Sequence, residues 1–239
     1  MNVVISQPML FPWVGMLEQV RLADSYVHYS DVQFSKGSFV NRVQIKTAQG
    51  IKWMTVPVSI KLGQRIDETR IDGSRDWRKS HLSVLADAYG TCPHFNDMMA
   101  IVRAVYDDTH ADIGSLSEAS LMAVCGYFGL ESHRRFMHSN ALGIDGASSS
   151  RVLDIVLALG GRRYITGHGA RNYLDHGLFE EAGVRVEYMD YQRLPYPQQH
   201  GQFTPYVSVL DLIANCGPEG RKFICSGSVY WKEFIDGSE

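Results

Sequence analysis

The sequence predicts an α/β protein with a mostly parallel sheet, a β-hairpin and a helical insertion. Three observations lead to this fold class. Residues 1–29 follow the pattern of strand, loop, helix and strand, and such a βαβ unit pairs its strands in parallel. Three helical segments then follow one another within residues 75–130. From residue 150 onwards helix and strand patterns alternate again, which indicates a return to the same sheet.

The N-terminal unit is predicted from residue type and spacing. Residues 3–5 are β-branched, and Gln7-Pro8 ends the strand in a turn. Apolar residues at helical spacing predict a helix over 13–23, and residues 25–29 form the second strand. Because ligands on parallel sheets bind beyond the carboxyl ends of the strands, the loop over 7–12 lies at the predicted binding edge.

A hairpin follows this unit. Residues 39–45 and 52–58 alternate between apolar and polar types, and they flank a turn of small and polar residues at 48–50. The next stretch, residues 60–71, is polar and forms either a further strand or a loop. The hairpin therefore lies between the βαβ unit and the helical insertion.

The rest of the chain is predicted to be helix-rich. Helical periodicity indicates helices over 77–89, 95–108, 117–128, 150–159, 171–179 and 207–214, with strands over 163–166 and 184–191. Ser117 is the candidate N-cap and Gly129 the candidate C-cap of the third helix. We interpret residues 1–239 as a single α/β domain that carries a helical subdomain over roughly 75–130.

Composition excludes several classes of protein. With 45% hydrophobic and 21% charged residues, the chain has the balance of a folded globular protein. A formal net charge of −3 provides no global positive field for a phosphate backbone, so we expect no nucleic-acid partner. No apolar run reaches the ~20 residues of a membrane span, and the N-terminus lacks a signal-peptide pattern. Four dispersed cysteines without a C-x-x-C pair predict reduced thiols, no metal site and a cytoplasmic protein.

Two polar clusters lie near the predicted binding edge. The first is the stiff loop with Gln7, Pro8 and Trp13, whose glutamine amide can orient a substrate; the alternative is a turn beside a core tryptophan. The second comprises Asp31, Gln33, Lys36, Asn41, Arg42 and Lys46. Its cations suit a phosphate or carboxylate and Asp31 suits a base, whereas the alternative is a solvated hairpin. We predict that Gln7, Asp31, Lys36, Asn41 and Arg42 face one pocket.

Two further clusters lie in the second half of the chain. Gly167-His168-Gly169 forms a turn before a predicted helix that contains Arg171, which predicts phosphate binding in the same cleft as Gln7. Histidine is the side chain that changes charge near neutral pH, so the candidate catalytic residues are His168, Asp31 and Gln7. An ordinary βα turn is the alternative. The last cluster suits a carbohydrate or nucleoside platform, or else a proline-rich surface loop, and contains Tyr196, Gln199, Ser208 and Asp211.

Taken together, these clusters resemble the WbqC-like protein family over nearly the whole chain. The matching positions are 7–15, 23–24, 31–36, 39–42, 45–46, 53–58, 164–167, 173–175 and 203–211, with Trp77, Tyr89, Tyr196, Gln199, Asn215 and Gly217. The N-terminal unit also resembles the Rossmann-like half of the nucleotidyltransferase and pantothenate synthetase superfamily. Residues 170–174 are similar to a phosphate-contacting segment of pantothenate synthetases. The His-x-Gly-His signature of that superfamily is absent, and residues 11–15 stand in its place.

The family resemblance implies an enzyme of bacterial surface-polysaccharide (O-antigen, lipopolysaccharide) precursor biosynthesis. The expected substrate is a small molecule, a nucleotide-linked amino sugar, and the expected reaction is acyl or aminoacyl amide formation on its amine. The fold resemblance makes ATP a candidate cofactor. Arg42, Lys36 or Arg171 would neutralise phosphate charge, and Asp31 or His168 would take the amine proton. The alternatives are a glycosyltransferase, although the chain has no Asp-x-Asp motif, and a non-catalytic sugar-nucleotide-binding or assembly protein.

Overall fold

The computed structural model describes residues 1–236 and confirms a mixed α/β fold with a mostly parallel sheet and small antiparallel hairpins. Its strands are β1 (Asn2–Ser6), β2 (Ser25–His28), β3 (Arg42–Thr47), β4 (Gly50–Thr55), β5 (Val58–Ser59), β6 (Arg70–Ile71), β7 (Arg135–His138), β8 (Arg163–Thr166), β9 (Arg185–Asp190) and β10 (Gly227–Tyr230). β3 pairs with β4 and β5 with β6, both antiparallel, outside the central sheet.

The helices surround this sheet. They are α1 (Val14–Leu22), α2 (Trp77–Tyr89), α3 (Phe95–Asp107), α4 (Ile113–Tyr127), α5 (Ser148–Ala158), α6 (His176–Glu181), α7 (Val209–Cys216) and α8 (Trp231–Asp236). Short 3₁₀ segments cover Ile66–Glu68, Ser139–Leu142, His168–Asn172 and Gly217–Phe223. Within the residues that the structure describes, no helix combines the length and apolarity needed to cross a membrane.

The central sheet has the order β10-β9-β8-β1-β2-β7. All neighbours are parallel except β10, which runs antiparallel to β9. β1 lies in the middle, and its Val4 stands opposite Tyr26 on one side and Ile165 on the other. The chain moves from β1 towards β2 and later from β8 towards β9, so the direction of winding reverses between β1 and β8. In open α/β sheets such a reversal creates the crevice in which ligands bind.

Two hydrophobic cores cover the two faces of the sheet. Successive side chains of a strand point to opposite faces. In β1, Val4 therefore joins the core that contains α1, α3, α4 and α7, whereas Val3 and Ile5 join the core that contains α5 and α6. Val3 and Val4 are fully buried, and Ile5 is nearly so. β1 is thus held from both sides, which makes it a rigid support for the residues that follow it.

The third helix of the insertion starts earlier than predicted, whereas the glycine predicted to follow it is confirmed. The third helix of the insertion begins at Ile113 rather than at Ser117, because Asp112 is the N-cap and its Oδ1 accepts the Ser115 N–H at 2.8 Å. Ser117 lies inside the helix and donates to the Val40 carbonyl. Gly129 follows the helix with φ +61°, as a C-terminal glycine does.

The predicted helix over 171–179 is wrong. Residues His168–Asn172 form a 3₁₀ turn, and the α-helix begins only at His176, where the Asp175 side chain accepts the Leu178 N–H. A 3₁₀ turn has poorer hydrogen-bond geometry and does not align its N–H groups as the first turn of an α-helix does. The edge strands β7 and β10 and helix α8 were not predicted.

Candidate functional site

A cleft of about 980 Å³ opens at the carboxyl edge of the parallel sheet. Residues that follow four strands line it: Gln7 after β1, Asp31 after β2, Gly167 after β8 and Tyr191 after β9. The cleft therefore spans the point where the winding of the sheet reverses. Its volume is at the upper end of the range for small-molecule sites, which suits a ligand of several linked groups.

An ion pair occupies the side of the cleft next to β2. Asp31 meets Arg151 of α5 through two contacts, Nη2 to Oδ2 at 2.5 Å and Nη1 to Oδ1 at 3.2 Å, and both side chains are 8% exposed. The Ser139 hydroxyl also donates to Asp31. Arg151 Nε donates to the Ile144 carbonyl, which fixes the guanidinium in place. The pair is therefore a rigid polar surface.

The ion pair decides what Asp31 can do. Burial alone would raise the pKa of its carboxyl group, but the hydrogen bonds from Arg151 and Ser139 outweigh burial and hold the pKa below its usual value. A carboxylate whose lone pairs are already occupied is a poor proton acceptor. The contacts of Asp31 therefore do not favour the predicted role as a base; in this structure its carboxylate binds Arg151 and Ser139.

His168 lies at the centre of the same cleft. Its Nε2 lies 2.6 Å from the Met189 carbonyl oxygen. A carbonyl only accepts hydrogen bonds, so Nε2 carries the hydrogen and Nδ1 is the nitrogen left to accept a proton. The rings of Tyr191 and Phe234 pack on the imidazole with centroids at 4.9 and 4.7 Å. The imidazole is thus held by one hydrogen bond and two ring contacts, and its role as a base stays a prediction.

An aromatic wall closes the side of the cleft next to β9. We use this name for Trp13, Tyr191 and Tyr206, which all line the cleft. The Trp13 ring centroid lies 4.8 Å from that of Tyr191 and 5.8 Å from that of Tyr206. Gly15 makes this packing possible, because a Cβ atom there would lie 2.3 Å from Cη2 of Trp13.

The structure brings part of the predicted site together. Of the predicted site residues, those that line the cleft are Gln7, Trp13, Asp31, Gln33, Gly167, His168 and Gly169. Those that do not are Pro8, Lys36, Asn41, Arg42, Lys46, Arg171, Tyr196, Gln199, Ser208 and Asp211. The first group follows the ends of parallel strands, whereas the second belongs mainly to the hairpin and to the loop before α7.

The hairpin does not fold over the binding edge as predicted. Arg42 stacks its guanidinium on Trp53 of β4, 4.1 Å from the ring centroid, and Asn41 donates to the Val56 carbonyl at 2.9 Å. Lys36 is exposed. Asn41 and Arg42 therefore bind their own hairpin and its neighbourhood, and none of the three side chains lines the cleft.

Lys46 and Asp211 belong to a buried network instead. Lys46 Nζ donates to Gln198 Oε1 at 3.1 Å and to the carbonyls of Gly201 and Gln202, which ties the irregular loop before α7 to β3. Burial raises the pKa of Asp211 to about 6, against the opposing effect of nearby Tyr196, Tyr89 and Lys46. This network holds the loop that carries Tyr206.

The other members of that predicted platform have structural roles. Ser208 caps α7: its Oγ accepts the Leu210 N–H at 3.2 Å and donates to the Phe11 carbonyl at 2.7 Å. Gln199 accepts a hydrogen bond from Thr91.

Arg171 is exposed outside the cleft, 5.9 Å from the Phe234 ring, and its segment is the 3₁₀ turn described above. The predicted phosphate site at Gly167 to Arg171 therefore lacks both the helix and the arginine on which it was based.

Sequence reasoning missed several residues of the cleft. Arg151, Ser148 and Ser149 lie at the start of α5, and Arg193 and Tyr206 lie in the loop before α7. For Arg151, Ser148 and Ser149, the only signal in the sequence was the surrounding segment of small residues, several of which carry hydroxyl groups. Ala147 provides no side-chain cap for α5, and Ser148 and Ser149 of its first turn line the cleft. Within residues 1–236, no cluster of three or more metal-ligating side chains was found.

Three comparisons with known proteins were made. A family model described as the WbqC-like protein family matches residues 7–223. The uncharacterized protein Rv1507c of Mycobacterium tuberculosis is 33% identical over 227 residues, which cover 93% of this chain and 97% of that protein. No solved structure matches.

Proposed function

The chain belongs to the WbqC-like protein family, and from this membership we propose that it acts on a nucleotide-linked amino sugar of bacterial surface-polysaccharide precursors. The proposed reaction joins an acyl or aminoacyl group to the sugar amine as an amide. The family resemblance supports the biosynthetic setting, and the reaction is proposed because the cleft holds a histidine and a glutamine amide. A large cleft at the reversal point of a parallel sheet suits a ligand that combines a nucleotide with a sugar.

The observation that carries the proposed chemistry is the orientation of His168. An amine must lose a proton as it attacks an activated acyl carbon, and a histidine with one free nitrogen accepts that proton efficiently near neutral pH. The Nε2 contact to Met189 leaves Nδ1 for this role. Gln7 lines the same cleft and supplies an amide that can orient the sugar, while Asp31 and Arg151 hold its wall.

ATP is the proposed source of acyl activation: a carboxylate would displace pyrophosphate from the α-phosphate of ATP to give an acyl adenylate, and the sugar amine would then displace AMP as the amide forms. We expect the purified protein, incubated with nucleotide-linked amino sugars, amino acids or carboxylic acids and ATP, to form an amide product and AMP detectable by mass spectrometry. His168→Gln should lower kcat about a hundredfold or more, because general-base catalysis contributes factors of this size. His110→Gln is the matched control, since His110 also binds a carbonyl through Nε2 but lies outside the cleft.

Other outcomes separate the alternatives. Hydrolysis or transfer of the sugar without ATP would favour a glycosyltransferase. Tight binding of sugar nucleotides with no product across a broad panel of donors would favour a non-catalytic binding protein. Equal activity of His168→Gln and His110→Gln would remove His168 from the mechanism while leaving the substrate class open.

A further inference from the structure

The rings of the aromatic wall are held by contacts with one another and with Gln19. Trp13 packs between Tyr191 and Tyr206 at the distances given above, and Gly15 leaves the space that its ring occupies. Gln19 Nε2 donates to the Tyr191 hydroxyl at 2.8 Å and fixes that ring. Tyr206 is 49% exposed, so the outer end of the wall presents a flat aromatic surface to the cleft.

Arg193 lies beside this wall and is free to bind an anion. It lines the cleft, and its guanidinium carbon lies 5.5 Å from the Tyr206 ring centroid. Across residues 1–236, no carboxylate forms an ion pair with it. Arg151, the other arginine of the cleft, is instead held by Asp31. The two arginines therefore differ in what they offer: Arg193 presents an unneutralised charge, and Arg151 presents none.

The two ends of the cleft follow different strands of the sheet. Tyr191 follows β9 and Asp31 follows β2, which are three strand spacings apart, roughly 14 Å at ~4.8 Å per spacing. A ligand that contacts both ends must be longer than a single sugar ring. One end offers flat rings with a free arginine, and the other offers the hydroxyls of Ser148 and Ser149 beside the Asp31–Arg151 pair.

From this polarity we infer that the sugar nucleotide binds in one direction, with its base stacked on Tyr206 and its diphosphate on Arg193. The inference rests on the proposed function and names which end of the cleft takes the nucleotide. A nucleobase has two flat faces that suit stacking on aromatic rings, and a guanidinium fork matches phosphate oxygens. The sugar then points past His168 towards Ser148 and Ser149, whose donors suit its hydroxyl groups.

The test is isothermal titration of wild type and variants at one salt concentration. The ligands are UDP, CDP, GDP and dTDP, their sugar nucleotides, sugar 1-phosphates and pyrophosphate. We expect Tyr206→Ala to weaken nucleoside diphosphate binding roughly tenfold and to leave pyrophosphate binding unchanged. Arg193→Ala should weaken both by ten- to hundredfold. Tyr206→Phe should bind like wild type, because it keeps the ring. Arg171→Ala is the control for the arginine, since Arg171 is exposed but lies outside the cleft.

The results distinguish this inference from the proposed function. If nucleoside diphosphates bind wild type and bind folded Tyr206→Ala and Arg193→Ala equally well, the inferred direction is wrong while the substrate class survives. If Tyr206→Ala weakens binding of sugar 1-phosphates but not of nucleoside diphosphates, the wall holds the sugar and the direction is reversed. If wild type binds neither nucleoside diphosphates nor sugar nucleotides, both the inference and the proposed function fail.

Discussion

At the scale of single residues, the aromatic wall of the cleft depends on two glycines, where a larger residue would not fit. Gly15 has no Cβ atom, and this allows the Trp13 ring to lie against the start of α1. Gly167 leaves space for another part of the wall. A Cβ atom at this position would lie 3.1 Å from Gln19 Nε2 and 3.2 Å from the Tyr191 hydroxyl. Both glycines therefore protect contacts of the aromatic wall.

The prediction at this scale concerns Gly15→Ala. The added methyl group must displace the Trp13 ring, which is already packed against Tyr191 and Tyr206, so we expect a loss of stability on the order of 1–3 kcal/mol. Urea denaturation measures the loss, and a changed fluorescence spectrum reports the moved ring. Gly169→Ala is the matched control, because Gly169 lines the same cleft and a Cβ atom there meets nothing within 4 Å. Equal stability of the two variants would contradict the prediction.

At the scale of elements, α7 is held by its first residue. Ser208 caps the helix and also binds the Phe11 carbonyl, and both contacts are buried. Ser208→Ala removes the cap and leaves a buried carbonyl without its partner, so we expect a loss of about 2 kcal/mol. Thermal unfolding measures it, with Ser150→Ala as the control at an exposed position. If Ser208→Ala instead lowered ligand affinity at unchanged melting temperature, Ser208 would act in binding rather than in capping.

The elements also show how far sequence reasoning reaches. β1, β2 and β8 were predictable because their apolar residues are concentrated in short runs. Because the carboxyl ends of parallel strands share an edge, Gln7 and Asp31 could be predicted to lie at the same edge. β7 was missed because it is an edge strand whose burial alternates weakly. Arg151 and Tyr206 could not be predicted, since they reach the cleft through tertiary packing between segments distant in sequence. Lys46 has the charge of a ligand-binding residue, but it is buried in a network that no local pattern signals.

At the scale of the whole molecule, two buried histidines make stability depend on pH. Burial lowers the pKa of His28 to about 4, with a smaller contribution from His138, and burial lowers that of His81 to about 4. Both are neutral in the folded protein, while an unfolded histidine titrates near 6.5. The unfolded chain therefore binds more protons between pH 6.5 and 4, and stability falls as pH falls through this window. Asp211 acts in the opposite direction, because its pKa is raised and its neutral form favours the fold at acid pH.

The prediction is that His28→Phe flattens the acid limb of the stability curve. His28 stacks on Phe136 and His138 and meets Tyr26 edge to face. Within the described chain its Nδ1 has no hydrogen-bond partner, so phenylalanine preserves the packing. Without the titration of His28, the variant should lose up to about 3 kcal/mol less folding stability than wild type between pH 7 and pH 4.5. Melting temperatures over this range test it, with exposed His133→Gln as the control. Parallel curves for wild type and His28→Phe would contradict the assignment.

The central position of β1 has a consequence for synthesis of the chain. β1 can pair with β2 as soon as residue 28 is made, but its other neighbour, β8, is completed only at residue 166. At roughly 5–20 residues per second, the nascent chain carries an open strand edge for several seconds or more. During that interval the open β1 edge can pair with a strand of another unfinished chain, so completion of β8 also removes a site of mispairing.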